Sequence, residues 1–264
     1  MDDFGARAGV ALVTGGSGGL GAAICRMLAA RGSDVVLSYR TNAPRAQVVV
    51  DDVVALGRRA RAIPVDLVDD DAARAFVDDT VHEFGGIHTL VHAAGPTVSQ
   101  VHLSRVTPPQ LREALDQEVG GFFAVVQPAL PHLRDAAVLA PGLGSGNLVA
   151  VTTAATHRFP VRDGLSSGPK AAVESLTRAL AAEEGRFGVR ANCVGPGMLT
   201  DGMAERLMAS GDLDDAALEV TRRNIALRRF GNAADVAEAV CFLASDRAKF
   251  VSGVHLLVDG GYGI

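Results

Sequence analysis

The stretch Val10-Ala-Leu-Val-Thr-Gly-Gly-Ser-Gly-Gly-Leu-Gly21 decides the fold, because a short apolar run passes directly into a cluster of glycines. The segment Ala22–Ala30 follows at once, has helical periodicity and ends before Gly32. A strand, a tight turn and a helix in this order are typical of the first unit of a dinucleotide-binding sheet. Glycines let the backbone approach a pyrophosphate, and the helix N-terminus supplies N–H donors. A flexible glycine-rich turn is the alternative interpretation.

The same alternation of short apolar runs and amphipathic segments continues to the end of the chain. It predicts one α/β domain over residues 1–264, a Rossmann fold with a doubly wound, seven-stranded parallel sheet and helices on both faces. Further strands are expected at Val35–Leu37, Ala60–Val65, Ile87–Val91, Asn147–Val151, Val189–Val194 and Val254–Val258, and further helices at Gln47–Leu56, Asp71–Phe84, Pro108–Leu133, Ala171–Phe187 and Ala233–Ala244.

Composition limits the classes of function. Hydrophobic residues make up 48% of the 264 residues, and the net charge of −5 gives no reason to expect nucleic acid or an anionic membrane as a partner. No apolar run approaches the roughly 18 residues of a membrane helix, and the start does not look like a signal peptide. The three cysteines, Cys25, Cys193 and Cys241, are widely spaced. They suggest no disulfide framework and no metal site, and we expect a reducing, cytoplasmic setting.

Several motifs stand in the order typical of one family, so the chain resembles the short-chain dehydrogenase/reductase family over nearly its whole length. The glycine cluster has the spacing TGxxxGxG. The matching segments are Thr14–Gly21, Asp66 after the third strand, His92-Ala-Ala-Gly95 where the family usually has NNAG, Lys170, Pro196-Gly197 and the ending Val258-Asp-Gly-Gly261.

The segment Ser38-Tyr-Arg-Thr-Asn42 after the second strand favours NADP(H), with NAD(H) as the alternative. An acidic residue at this place holds the ribose hydroxyl of NAD, whereas an arginine accommodates the 2′-phosphate of NADP. No carboxylate is present here, and Arg40 can form a bidentate contact with a phosphate. Arg40 as a solvated loop residue is the alternative interpretation. One observation also weighs against NADP(H): Gly18 stands where many NADP-using relatives have a basic residue.

The resemblance implies a set of cofactor-binding residues. Asp66 and Leu67 would contact adenine, although Asp66 can also cap the next helix. Lys170 would bind the nicotinamide ribose. The full set is Gly15, Ser17, Gly18, Gly19, Leu20, Gly21, Arg40, Thr41, Asp66, Leu67, Ala93, Ala94, Gly95, Lys170, Pro196, Gly197 and Met198.

The chain lacks the tyrosine that the family uses as proton donor, four residues before the lysine. That position is Ser166, and the family's serine, which binds the substrate oxygen, corresponds to Thr153. The enoyl reductase branch places its tyrosine seven residues before the lysine, where this chain has Asp163. The two tyrosines of the chain, Tyr39 and Tyr262, lie elsewhere in the sequence.

Serine cannot replace a tuned phenol, because its pKa is far higher and its reach shorter. Without another general acid, catalysis loses about 10²–10⁴-fold. We therefore assign Thr153, Ser166, Lys170 and His157 to the catalytic set, with His157 as one candidate donor because histidine titrates in the right range. Most lone histidines are ordinary surface residues, and this interpretation of His157 is favoured over the catalytic one. His92, Asp163 or a water held by Thr153 and Ser166 are the other candidate donors.

Two local features near Lys170 have alternative explanations. Glu118 stands where the family has an asparagine; it is either solvated or paired with Lys170. Pro169 suits a helix N-terminus, so Ser166 or Ser167 is expected to be the N-cap.

Two functions fit these observations. The first is an NADP(H)-dependent oxidoreductase acting on a carbonyl or alcohol, similar to 3-oxoacyl reductases or to enoyl reductases, with a proton donor other than tyrosine. The second is a weak or inactive NADP(H)-binding protein or subunit. Residues 196–229 are expected to cover the substrate. Met198, Met203, Leu207 and Met208 suggest an apolar or acyl substrate, unless they belong to the core or an interface. By resemblance, the chain forms a dimer or tetramer.

Overall fold

A parallel sheet lies at the centre of the fold. This computed structural model describes residues 2–139, 146–201 and 215–264. The strand order is β3-β2-β1-β4-β5-β6-β7, and all neighbouring strands are parallel. The predicted seven-stranded sheet is therefore confirmed. The strands are β1 (Val10–Thr14), β2 (Val35–Tyr39), β3 (Ala60–Pro64), β4 (Ile87–His92), β5 (Asn147–Val151), β6 (Arg190–Pro196) and β7 (His255–Val258).

Helices cover both faces of the sheet, as predicted. In β1, Ala11 and Val13 pack into one core with α1, α2 and α8, whereas Val10 and Leu12 pack into a second core with α3, α5 and α6. Burial on both faces explains why the strands are continuous apolar runs. The helices are α1 (Gly19–Ala30), α2 (Ala43–Ala55), α3 (Asp70–Phe84), α4 (Pro108–Leu115), α5 (Gly121–Leu139), α6 (Gly164–Glu184), α7 (Asp215–Asn224) and α8 (Ala233–Ala244).

The long helix predicted at Pro108–Leu133 is present, extends to Leu139 and is divided into α4 and α5. The segment Asp116–Gly120 forms a π-helical turn between α4 and α5. Such a turn inserts one residue into the helical repeat and is frequent at functional sites. It buries Glu118, a residue type that seldom lies inside a protein without a partner.

The predicted start of α6 was wrong. The helix begins at Gly164 rather than Ala171, and its N-cap is Asp163 rather than a serine. Ser166 and Ser167 lie in the first turns, and the Ser167 hydroxyl donates to the carbonyl oxygen of Asp163 at 3.0 Å. Because Ser167 is satisfied in this way inside the helix, its preference for a cap position does not decide the boundary.

The predicted substrate-covering region is described only in part. Within 196–229 the chain forms α7, a helix that the sequence did not predict. Met203, Leu207 and Met208 lie outside the described residues.

The three cysteines are buried and unpaired. Burial raises the pKa of Cys193 and Cys241 to about 12, and burial also raises the pKa of Cys25. Among the described helices, none combines the length and the apolar character needed to cross a bilayer.

Candidate active site

A cavity of about 500 Å³ opens where the strands β1 to β6 end. Ligands of open α/β sheets bind at this carboxyl edge. Its lining contains every residue predicted to bind the cofactor: Gly15, Ser17, Gly18, Gly19, Leu20, Gly21, Arg40, Thr41, Asp66, Leu67, Ala93, Ala94, Gly95, Lys170, Pro196, Gly197 and Met198.

The turn after β1 needs glycine for close backbone packing. Gly15 has a φ of +65°, and a Cβ there would lie 2.7 Å from the Cα of Ala94. A Cβ at Gly21 would collide with the carbonyl oxygen of Gly15. The Ser38 hydroxyl accepts a hydrogen bond from the Gly15 amide at 3.1 Å, which fixes the turn to β2.

The N-terminus of α1 is suited to an anion. Its N-cap, Gly18, has no side chain to accept from the first-turn amides, and no acidic residue lies in that turn. The amides of Gly19, Leu20 and Gly21 therefore lack a side-chain cap, and all three residues line the cavity. Uncapped amides and the helix dipole together favour a phosphate at such a place.

The far end of the cavity is formed by the loops after β2 and β3. Arg40 is exposed there and also lines an adjoining hollow of about 480 Å³ with Asp66. Asp66 accepts a hydrogen bond from the Val68 amide at 3.2 Å. It caps no helix, because Asp69 is the N-cap of α3. The alternative interpretation of Asp66 as a helix cap is therefore wrong.

His92 is a structural residue rather than part of the cavity lining. Its Nδ1 lies 3.0 Å from the Thr14 hydroxyl, which also accepts from the amides of Ala93 and Ala94. The ring meets Phe122 edge-on. Burial lowers the pKa of His92 to about 3, so the imidazole is neutral near pH 7. This geometry gives no support to His92 as a proton donor.

Lys170 is paired with Glu118, one of the two alternatives that the sequence allowed. The Lys170 ammonium donates to Glu118 Oε2 at 2.6 Å, and the two side chains are only 16% and 3% exposed. Gly95 packs over the pair, since a Cβ there would come within 3.0 Å of Glu118 Oε2. The π-helical turn thus directs a buried carboxylate at the lysine.

Thr153, Asp163 and Ser166 line the cavity together with Lys170. The Thr153 hydroxyl accepts from the Ala155 amide at 3.1 Å, so its own proton is free for a substrate oxygen. Asp163 Oδ1 accepts from the Gln100 amide group at 3.0 Å. Burial raises the pKa of Asp163 above its ordinary value, against the opposing effects of the Gln100 hydrogen bond and the Lys170 charge.

His157 lies outside the cavity lining and is exposed, which corrects its place among the predicted catalytic residues. Its Nε2 lies 3.1 Å from Nδ1 of His255, and that nitrogen is 3.4 Å from a carboxylate oxygen of Glu174. The spacing from Thr153 suggested proximity, but the short 3₁₀ turn Ala154–Thr156 carries the chain away from the cavity. The geometry therefore supports the surface interpretation.

Sequence reasoning assigned no role to two residues at or beside the cavity. Gln100 lies in a loop without a recognisable motif, and only its contact with Asp163 identifies it. Asp201 lines the cavity itself and accepts hydrogen bonds from the Thr200 hydroxyl and the Ala233 amide, which lower its pKa. A carboxylate held in this way connects the end of β6 to α8.

The ending Val258-Asp-Gly-Gly261 belongs to the same edge of the sheet. A Cβ at Gly197 would lie 2.7 Å from the Cα of Asp259. The carboxylate of Asp259 accepts from the amides of Gly261 and Gly263, both at 2.8 Å. The final turn therefore packs against the backbone of a cavity residue, which is why the two motifs occur together.

Known proteins resemble the chain along almost its whole length. A family model described as "Enoyl-(Acyl carrier protein) reductase" matches residues 15–263. The 3-oxoacyl-[acyl-carrier-protein] reductase FabG of Staphylococcus epidermidis is 32% identical over 254 residues, which cover 95% of this chain and 97% of that protein. Versicolorin reductase 1 of Dothistroma septosporum is 32% identical and covers 99% and 98% of the two chains.

Solved structures give the same result. A short-chain dehydrogenase from Burkholderia cenocepacia in complex with NADP is 34% identical, with a TM-score of 0.86 and complete coverage of both chains. A blue fluorescent protein from a metagenomic library in complex with NADPH is 29% identical, with a TM-score of 0.84, and the match covers 99% of this chain and 100% of that one. The chain belongs to the short-chain dehydrogenase/reductase family of oxidoreductases.

Proposed function

We propose that the chain is an NADP(H)-dependent reductase of carbonyl groups that works without a tyrosine proton donor. The observation that carries this proposal is a single cavity that joins the uncapped N-terminus of α1 and Arg40 to Thr153 and Lys170. One end has the chemistry of a nucleotide phosphate site, and the other has hydroxyl and ammonium donors for a reacting group.

The residues of the cavity fit NADP(H) because they supply donors for each anionic part. Amides of the α1 N-terminus would hold the pyrophosphate, and Arg40 would hold the 2′-phosphate. Lys170 would bind the nicotinamide ribose, and the Thr153 hydroxyl would orient the substrate carbonyl. When bound, the cofactor would supply the hydride. Two structural neighbours, one in complex with NADP and one in complex with NADPH, support this choice of cofactor.

An apolar acyl compound with a 3-oxo group is the substrate class we propose. Relatives named 3-oxoacyl-[acyl-carrier-protein] reductase and versicolorin reductase support a carbonyl acceptor. Met198 and Leu199 add apolar lining at the end of β6. We also propose that residues 196–229 cover this substrate within a single domain of residues 1–264.

The replacement of the family tyrosine by Ser166 favours a second candidate, an NADP(H)-binding protein with little or no turnover. Both candidates predict nucleotide binding, and only the first predicts product. Calorimetry should give tighter binding of NADPH than of NADH, and NADPH oxidation should be measurable with a 3-oxoacyl thioester. Binding without oxidation of any ketone, 3-oxoacyl or enoyl thioester would favour the second candidate. No binding of either nucleotide would refute both.

We further propose a cytoplasmic homo-oligomer, a dimer or a tetramer. The buried, unpaired cysteines support a reducing setting. Within the described sheet β7 is an edge strand, and Phe250 and Ile264 nearby in sequence are almost fully exposed. Light scattering on the purified chain should give a multiple of the 27.3 kDa monomer mass. A monomer at micromolar concentration would contradict this proposal.

A further inference from the structure

The cavity contains several polar groups, but most of them cannot release a proton near neutral pH. Ser166 has a hydroxyl whose pKa is far too high, and the same holds for Thr153. Glu118 accepts a hydrogen bond from the Lys170 ammonium and is not among the residues that line the cavity. An acid for carbonyl reduction must therefore be sought among the remaining lining residues.

Asp163 has the geometry of an acid with one defined proton position. Its Oδ1 accepts from the side-chain amide of Gln100 at 3.0 Å. Within the described part of the chain, Oδ2 makes no hydrogen bond and no ion pair. A carboxylic acid whose one oxygen accepts an N–H carries its proton on the other oxygen. The proton of Asp163 is thus expected on Oδ2.

The position of Asp163 explains why this carboxyl differs from an ordinary helix cap. It is the N-cap residue of α6, yet its side chain accepts no hydrogen bond from the first-turn amides of that helix. The side chain is instead half-buried and lines the cavity with Thr153 and Ser166. The carboxyl therefore accepts its hydrogen bond from Gln100 instead of from the amides at the start of α6.

Burial also changes the pKa of the Asp163 carboxyl. It raises the pKa of Asp163, and this effect exceeds the lowering caused by Gln100 and by the charge of Lys170. A general acid works best when its pKa approaches the working pH.

We propose that Asp163 is the proton donor of the reduction, acting on a carbonyl oxygen that the Thr153 hydroxyl positions. This inference rests on the proposed function. The carbonyl carbon accepts hydride from bound NADPH, which leaves as NADP⁺, and the carbon–oxygen π bond breaks. The carbonyl oxygen takes the proton of Asp163 Oδ2, directly or through one water, and becomes a hydroxyl. Asp163 is left as a carboxylate and regains a proton from solvent.

Substitutions of Asp163 test this role. Asp163→Asn should lower kcat with a 3-oxoacyl thioester roughly 100-fold or more, as expected for loss of a general acid. Asp163→Glu should restore part of the rate, because it keeps the acid. Asp79→Asn is the matched control, since it removes an exposed carboxylate on α3. Unchanged turnover in Asp163→Asn would overturn the inference and direct attention to Lys170.

A direct titration supplies a second readout that needs no turnover. Carbon-13 NMR of aspartate carboxyls in the protein without nucleotide should contain one group that titrates above the usual aspartate range. That signal should be absent from Asp163→Asn. It should move to higher pH in Gln100→Ala, because the Gln100 hydrogen bond lowers the pKa of Asp163. An Asp163 signal that titrates in the ordinary aspartate range would overturn the inference.

The failures of the two proposals can be told apart. If the unmodified chain does not bind NADPH, the proposed function fails. If it binds NADPH and reduces the thioester, and Asp163→Asn does both equally well, only the role of Asp163 fails. NADPH affinity measured by calorimetry should be the same in Asp163→Asn and in the unmodified chain.

Discussion

Arg40 is a single residue on which cofactor selection is expected to depend. It follows β2, lines both the main cavity and the adjoining hollow, and is exposed to solvent. Residues Ser38, Tyr39, Thr41 and Asn42 around it offer no carboxylate that would repel a phosphate. A guanidinium can hold such a group through two parallel hydrogen bonds.

We predict that Arg40→Ala weakens NADPH binding about 10- to 100-fold, the value of one lost charge-assisted contact of about 1.5–3 kcal/mol. NADH binding should stay unchanged, because NADH has no 2′-phosphate. Calorimetry with both nucleotides checks this, and Arg45→Ala, which removes an exposed arginine of α2, is the control. Equal losses for the two nucleotides would show that Arg40 is not a phosphate ligand.

The Glu118–Lys170 pair is the second decisive feature at the residue scale. Both side chains are shielded, so removal of one charge leaves the other uncompensated. We predict that Glu118→Gln destabilises the fold by about 3 kcal/mol, the cost of breaking a buried pair from one side. Urea unfolding of Glu118→Gln, Lys170→Met and the double variant checks this. The double variant should lose clearly less than the sum of the single variants, and simple additivity would contradict the pairing.

At the scale of elements, the turn between β1 and α1 controls the site through backbone distances alone. Gly21 lies in the first turn of α1, against the carbonyl oxygen of Gly15, with no room for a methyl group. We predict that Gly21→Ala displaces the helix N-terminus and abolishes measurable NADPH binding while the protein stays folded. Calorimetry and circular dichroism check the two parts.

Gly185→Ala is the matched control for Gly21→Ala. It lies just after α6, where an added Cβ would meet no atom within 4 Å. If Gly185→Ala weakens NADPH binding as much as Gly21→Ala does, steric exclusion at the turn is not the cause.

Element identity could be predicted from the sequence more reliably than element boundaries. Apolar runs such as Val10–Val13 determine strands, because every residue in them is buried on one of two faces. The boundaries of α6 and the π-helical turn were missed, because they depend on tertiary partners. Glu118 lies in the π-helical turn, and its carboxylate contacts Lys170 there. The periodicity of the sequence does not predict that contact.

The residues of the site likewise divide into those that a sequence motif reveals and those that only the structure reveals. Residues placed by a motif, such as Gly15 and Pro196, were found because the family spacing fixes them at the edge of the sheet. Gln100 could not be found, because a loop residue joins a site through three-dimensional proximity alone. His157 was misplaced because a three-residue turn, invisible in the residue types, directs it towards His255.

At the scale of the whole molecule, buried histidines on β4 connect folding to pH. Burial lowers the pKa of His88 and of His92 to about 3, from the ordinary histidine value of 6.5. The unfolded chain therefore binds a proton at each site over this window, while the folded chain does not. Stability is fully present above about pH 6.5 and is lost as the pH falls towards 3.

We predict that His92→Asn lowers the pH slope of the unfolding free energy by about 1.4 kcal/mol per pH unit between pH 6 and 4, to be measured by urea titrations at several pH values. Asparagine is the family's usual residue at this place. His82→Asn on the exposed side of α3 is the control and should leave the slope unchanged. A slope that His92→Asn does not alter would mean that this ring is protonated in the folded state.

The shielding of the native thiols has a practical consequence for spectroscopy. Maleimide dyes react with thiolates, and Cys25, Cys193 and Cys241 are both inaccessible and resistant to ionisation. A fluorophore would therefore attach wherever a new sulfhydryl is introduced on the surface, for instance through Asp79→Cys. Site-specific labelling, and distance measurements by energy transfer, can thus be done without first removing the natural sulfur atoms.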